Sequence, residues 1–219
     1  MNNIKMILFD LDGTLWNSCE NVAESWNVVI RKWRSARPEL PLRLLNADDI
    51  RGVMGKPMSE IAIIFFGDLS EEDRQTIARE CETYEVEYIA EHGGVLFPEV
   101  GETLHYLQDK GCRLAIVSNC QSGYIETFLE HYGFGKHFDD IECYGNNLKG
   151  KGDNIALIVS RNGLDKAWYV GDIQGDYNST MEAGIDFIHS AYGFGTINHP
   201  VPELERFSDL PELMKKLDQ

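Results

Sequence analysis

Asp10 and Asp12 stand two residues apart at the end of an apolar run over residues 7–9, and Gly13 and Thr14 follow them. In an extended chain, residues i and i+2 point the same way. Both carboxylates can therefore face one site at the C-terminal end of a strand, which is where open α/β sheets bind ligands. Two carboxylates that close repel unless a cation or a shared proton offsets them. A hard divalent ion with oxygen ligands suits such a pair. Asp-x-Asp also starts the calcium loop of an EF-hand, but position twelve of that loop is Asn21 here instead of Glu, and no third ligand pattern follows. Taken alone, the pair reads equally as a strand-end turn with solvated acids.

Other polar groups follow later apolar runs. Ser118 and Asn119 come after residues 114–117; a hydroxyl and nearby backbone amides suit a phosphate oxygen, and they suit a turn or helix cap as well. Gly171, Asp172 and Asp176 come after residues 167–170, and Asp176 also stands where a helix cap would. Residues 145–152 nearly spell a P-loop, but Gly152 offers no hydroxyl for magnesium, and the segment before it is a poor strand. Nucleoside triphosphate hydrolysis is therefore rejected. What remains there is a lysine just ahead of a helix, Lys149 or Lys151, able to neutralise both a phosphate and Asp10. Arg51 and Lys56 lie in a basic, glycine-marked loop over residues 51–57. Either can meet an anionic or hydroxylated substrate group, or the loop is a solvated turn. The six histidines show no ligand spacing and are assigned no role.

The ordered set Asp10-Leu11-Asp12-Gly13-Thr14, Ser118-Asn119, Lys151 and Gly171-Asp172 with Asp176 resembles the haloacid-dehalogenase-like hydrolases, most of which are phosphatases. The likeness spans nearly the whole chain and is strongest to the phosphoglycolate-phosphatase-like and β-phosphoglucomutase-like branches. It implies Asp10 as the nucleophile that forms an aspartyl-phosphate and Asp12 as the general acid and base. It implies Thr14, Ser118, Asn119 and Lys151 around the phosphate. It also implies Mg2+ held by the Asp10 side chain, the Asp12 backbone carbonyl and an acid of the last motif. Asp172 is the direct ligand in that scheme, and Asp176 binds through water or orients the loop. Lys151 is preferred over Lys149 because Lys-Gly-x-Asn-Ile leading into a helix is similar to the family pattern, although many relatives have Lys-Pro there. The loop carrying Arg51 and Lys56 resembles the substrate-specificity loop of related caps.

The elements that must position these groups follow from periodicity. A buried strand is expected over residues 4–10. Asn17 with Glu20 marks a helix start, followed by a stripe of Val22, Trp26, Val29, Ile30 and Trp33, with Pro38 and Pro41 ending the helix. Further helices are expected over 58–66 and from Ser70 onward, the latter with a stripe of Ile77, Cys81, Tyr84 and Tyr88. From residue 99 helix and strand alternate: helices over 99–110, 122–132, 153–161 and 176–183, a final helix from Pro211, and strands over 114–117, 141–143, 167–170 and 185–189. This alternation predicts an α/β fold, a doubly wound parallel sheet with helices on both faces. A βαβ crossover needs only ~30 residues, far fewer than separate Thr14 from Ser118. Residues 16–92 are therefore expected to form an inserted all-α helical cap over the site, with residues 1–15 and 93–219 as the core.

Bulk properties narrow the function. The formal net charge is −16, which argues against nucleic acid and anionic membranes as partners. Five cysteines without Cys-x-x-Cys spacing fit reduced thiols in a cytoplasmic protein. The opening residues have no signal-peptide cleavage region, no stretch is long enough to span a bilayer, and the sequon at Asn178 would be idle in the cytosol. The expected reaction is Mg2+-dependent hydrolysis of a small phosphorylated metabolite, phosphoglycolate-like or sugar-phosphate-like, by a monomer or weak homodimer. A phosphomutase uses the same residues, but mutases of this type usually show Val where Thr14 stands. A receiver-like phospho-Asp signalling domain also has strand-end acids and a lysine; the long insertion and the Asp-x-Asp pair speak against it. The intact acid set speaks against a non-catalytic binder.

Overall fold

The structure is a computed structural model that describes residues 6–217. The expectations for residues 1–5, including the start of the first strand and the leader-free terminus, and for residues 218–219 lie outside it.

Six parallel strands form the main sheet. In chain order they are β1 (Met6–Phe9), β4 (Arg113–Ser118), β5 (Asp140–Cys143), β6 (Ala167–Gly171), β7 (Asp186–Ser190) and β8 (Glu203–Leu204). A separate antiparallel ribbon pairs β2 (Trp16–Asn17) with β3 (Val95–Leu96). The spatial order of the sheet is β5-β4-β1-β6-β7-β8. Continuous apolar runs suit strands buried on both faces, and β1 divides its side chains accordingly. Ile7 and Phe9 enter one core with Leu114, Ile116 and Val170, while Met6 and Leu8 enter the other with Ala115, Val117 and Tyr169. The expected doubly wound α/β core is the observed arrangement. Because β1 lies between β4 and β6, the chain leaves toward opposite sides on either flank of β1, and a crevice opens at their C-terminal ends.

Four helices intervene between β2 and β3: α1 (Cys19–Ala36), α2 (Ala47–Arg51), α3 (Met58–Phe66) and α4 (Glu71–His92). The remaining helices belong to the sheet: α5 (Val100–Asp109), α6 (Tyr124–Tyr132), the single-turn α7 (Tyr144–Asn147), α8 (Lys151–Arg161), α9 (Gln174–Ala183) and α10 (Leu210–Leu217). The boundaries expected at residues 15/16 and 92/93 fall at the β2–β3 ribbon. There Trp16 packs edge-on against Tyr124, Phe128 and Tyr132 of α6.

Local signals explain the deviations from expectation. Ser18, not Asn17, precedes α1. Asn46 closes a capping box with Asp49, which starts α2 in a segment for which periodicity predicted no element. Helix α8 begins at Lys151 instead of Asp153, and α9 at Gln174 instead of Asp176. Asp176 sits inside the first turn of α9, where its carboxylate accepts from the main-chain N–H groups of Asp172 and Ile173 at 3.1 and 3.3 Å. The buried stripe of α4 is Ile77, Cys81, Glu85 and Ile89. Tyr84 and Tyr88, expected in that stripe, are only partly buried.

Candidate active site

Three strand ends supply the site. Asp10 follows β1, Ser118 ends β4, and Asp172 follows β6. The loop after β1 turns tightly at Gly13, whose φ is +88°. A Cβ there would lie 2.1 Å from Asp172 Oδ2, so only glycine lets the β1 and β6 loops approach this closely. Asp10, Asp172 and Asp176 are buried, and each presents a carboxylate oxygen within 4.8 Å of the others. Lys151, at the first position of α8, donates to Asp10 Oδ1 at 2.8 Å and Asp176 Oδ1 at 2.6 Å. Lys149 stays on the surface, and its N–H donates to the Asn147 side chain.

Charge does not balance in this cluster. Burial pushes Asp10 up to about 7 against the pull of Lys151, and burial with the neighbouring Asp176 and Asp10 carboxylates raises Asp172 well above its ordinary value. Burial opposes the charge on Lys151, but Asp10 and Asp176 outweigh it and hold the ammonium strongly protonated. One ammonium against three carboxylates leaves room for a divalent cation with oxygen ligands, and the donor set fits magnesium. Asp12 is not in the cluster. Its Oδ1 accepts from Ser18 Oγ at 2.5 Å and lies 3.2 Å from the Tyr124 hydroxyl, which is 2.9 Å from Ser18 Oγ. Burial lifts Asp12 to about 6.

Asp10 and Asp12 line a cavity of about 50 Å³ together with Ser118, Asn119, Cys120, Gln121 and Tyr124 from the core side. The helical insertion contributes Trp26, Met54, Lys56 and Glu85, among others. A hydrogen bond crosses from the core to the insertion here: Asn119 Nδ2 donates to the Gly55 carbonyl at 2.9 Å. Cys120 lines the cavity, but burial holds its thiol far above the ordinary value.

Five of the expected residues do not line the cavity: Lys151, Asp172 and Asp176 belong to the buried cluster with Asp10, and Thr14 and Arg51 have other partners. Thr14 is fully buried, with its hydroxyl 3.1 Å from Ser190 Oγ and its carbonyl accepting from the Tyr192 hydroxyl at 2.8 Å; there it braces the loop. Arg51 pairs with Asp48 and lies 5.8 Å above the Phe194 ring. Lys56 does line the cavity, 3.5 Å from Glu60. Ser18, Tyr124, Gln121 and Glu85 were not anticipated. For Glu85 a signal existed: 85 continues the four-residue spacing of 77 and 81, so a carboxylate falls on the buried face of α4.

The model of the haloacid dehalogenase-like hydrolase family matches residues 7–190, from β1 to the end of β7. The chain belongs to that family. The hydrolase is 26% identical over 247 residues to a phosphoglycolate phosphatase of Salmonella typhimurium, covering 96% of this chain and 92% of the relative. It is 27% identical over 224 residues to a phosphoglycolate phosphatase of Escherichia coli K12, covering 88% and 83%. In fold it is similar to a haloacid dehalogenase-like family hydrolase from Streptococcus pneumoniae, with a TM-score of 0.79 at 22% identity over 98% of this chain and 100% of that one. The family and its phosphatase members make the hydrolase a phosphatase; the two relatives are phosphoglycolate phosphatases by name. No helix among its described residues is long and apolar enough to cross a membrane.

Proposed function

We propose that the hydrolase is a Mg2+-dependent phosphatase that cleaves a small phosphate monoester in two steps through an aspartyl-phosphate on Asp10. The observation that carries the reading is the buried Asp10 carboxylate, bonded to Lys151, beside Asp172 and Asp176 and in one cavity with Asp12.

In the first step an Asp10 oxygen attacks phosphorus, the bond to the leaving alcohol breaks, and Asp12 gives its proton to the departing oxygen. In the second, water attacks the same phosphorus, Asp12 takes the water's proton, and Asp10 leaves as a carboxylate. A group near pH 6 serves both directions, and Ser18 with Tyr124 keeps it oriented. Lys151 offsets negative charge on Asp10 and on the phosphoryl oxygens, while Ser118 and Asn119 offer donors at the end of β4. Magnesium, held by Asp10, Asp172 and, as the family resemblance implies, the Asp12 carbonyl, would neutralise the phosphoryl group. Asp176 orients the loop through its bonds to Lys151, Asp172 and Ile173.

Residues 16–92 act in this reading as a cap that excludes water, with residues 1–15 and 93–219 as the core. The substrate is a small phosphorylated metabolite, and the thiols suit a cytoplasmic setting.

The test is phosphate release from a panel of small phosphate monoesters with magnesium, with EDTA, and with Asp10→Asn. Release that requires both the metal and Asp10 is expected. Release that persists in Asp10→Asn would remove the nucleophile assignment.

A further inference from the structure

The two-step reaction leaves one carboxyl in the cavity without a task. Glu85 comes from α4, is 5% exposed, and lines the same cavity as Asp10 and Asp12. Its neighbours along the helix face, Ile77, Cys81 and Ile89, are apolar and buried. A carboxyl at such a position costs stability unless it is well partnered. Two donors hold it. Trp26 Nε1 of the cap donates to Oε2 at 2.5 Å, and Gln121 Nε2 of the core donates to Oε1 at 2.9 Å. A carboxylate has about four acceptor sites, so each oxygen retains capacity for a further donor.

No lysine or arginine among the described residues forms an ion pair with Glu85. The charged groups that act on it, Asp12 and Glu82, are both acidic, and burial with these two pushes it up to about 7. The wall around it includes Val22, Ile50, Val53 and Ile61. Lys56 reaches the cavity too, but its side chain is 44% exposed and sits 3.5 Å from Glu60. A carboxyl fixed by two donors, short of positive charge and facing a ligand cavity is arranged to receive a donor from the ligand.

We infer that Glu85 determines specificity: it accepts a hydrogen bond from a hydroxyl or ammonium group at the far end of the leaving alcohol, and it disfavours substrates with a carboxylate there. This rests on the phosphatase reading and refines its substrate class. Phosphoglycolate carries the disfavoured carboxylate, so the name of the relatives at 26–27% identity does not transfer to this chain.

The test uses the full chain with magnesium and four phosphates. Ethanolamine phosphate carries an ammonium, glycerol 3-phosphate carries hydroxyls, phosphoglycolate carries a carboxylate, and acetyl phosphate has no polar far end. Wild type should turn over at least one donor-bearing phosphate with kcat/KM about tenfold or more above phosphoglycolate, the scale of one charge-assisted hydrogen bond. The better of the two donor-bearing phosphates distinguishes ammonium from hydroxyl. In Glu85→Gln the ratio should shift toward phosphoglycolate by a similar factor, mainly through KM. Ratios are taken within each variant, so a general loss of activity cancels. If Glu85→Gln fails to fold, Glu85→Asp, which shortens the reach of the carboxyl, takes its place and should shift the same ratio. Preference of wild type for phosphoglycolate, or an unchanged ratio in Glu85→Gln, would overturn the inference and leave the phosphatase intact. Failure of wild type to cleave any of the four while other phosphate monoesters are hydrolysed would overturn the inference alone; no release from any monoester of the wider panel would remove both.

Discussion

Replacing Asp10 by asparagine removes the oxygen that attacks phosphorus but keeps the side chain's shape and its capacity to accept from Lys151. Asp10→Asn should lower kcat by at least about a thousandfold, as loss of a nucleophile does. Its unfolding temperature should stay level or rise, because one of three crowded carboxylates is gone. Steady-state kinetics beside thermal unfolding checks both halves. Glu85 gives a second prediction, in pH. Its folded value of about 7 lies above the ordinary 4.5, so between those values the folded state binds more protons than the unfolded one. Stability contributed at this position is therefore full below about pH 4.5 and is lost as pH rises through 7. Glu85→Gln does not titrate, so its stability relative to wild type should improve from pH 5 to pH 8, by up to roughly 3 kcal/mol. Denaturant melts at the two pH values measure this, and a difference independent of pH would contradict it. At this scale the convergence of Asp10, Asp172 and Asp176 was legible because several apolar runs in order end in polar groups, whereas the Asp-x-Asp pair alone read equally as a turn. Thr14 was not: its partner Ser190 lies 176 residues away, and no local pattern encodes that pairing.

The elements meet at glycines where a side chain would not fit. Gly55, with φ +79°, places a notional Cβ 2.3 Å from Ile173 Cδ1 at the start of α9. Gly55→Ala should therefore keep the core folded but hinder seating of the cap loop, with a several-fold loss of kcat/KM. Because the obstacle is the tip of a side chain, Ile173→Ala should recover part of that loss, and kinetics on the single and double variants would show it. No recovery would mean that backbone strain at residue 55, not crowding, is limiting. The strands and the long helices were readable from period and length. The short β2–β3 ribbon was not, since two-residue strands carry no periodic signal and depend on Trp16 packing against α6. The stripe on α4 was misphased at its end: Tyr84 was preferred to the charged Glu85, which carried the phase on to Tyr88 instead of Ile89, whereas the geometry buries Glu85 and Ile89.

The whole molecule carries a formal charge of −16, and the phosphatase reading gives it an anionic substrate. Added monovalent salt should raise kcat/KM at fixed magnesium by screening that repulsion, the reverse of an enzyme with a basic surface; a fall would imply local steering by Lys56 or Lys151. Magnesium that binds only the folded chain should raise the unfolding temperature, by about 2.7 kcal/mol of stability at a hundred times its dissociation constant. Asp172→Asn should abolish most of that rise, which needs no turnover to be seen. The alternation of strands and helices made the layered core legible as far as β7 but not the two-residue edge strand β8, and the gap between Thr14 and Ser118 announced the insertion. The bond from core to insertion was not legible, because it joins Asn119 to the carbonyl of Gly55. Every residue type has a carbonyl. On the cap reading, side chains beside residue 55, though not Gly55 or Asn119 themselves, can be exchanged over generations and new metabolites tried while the latch is inherited unchanged.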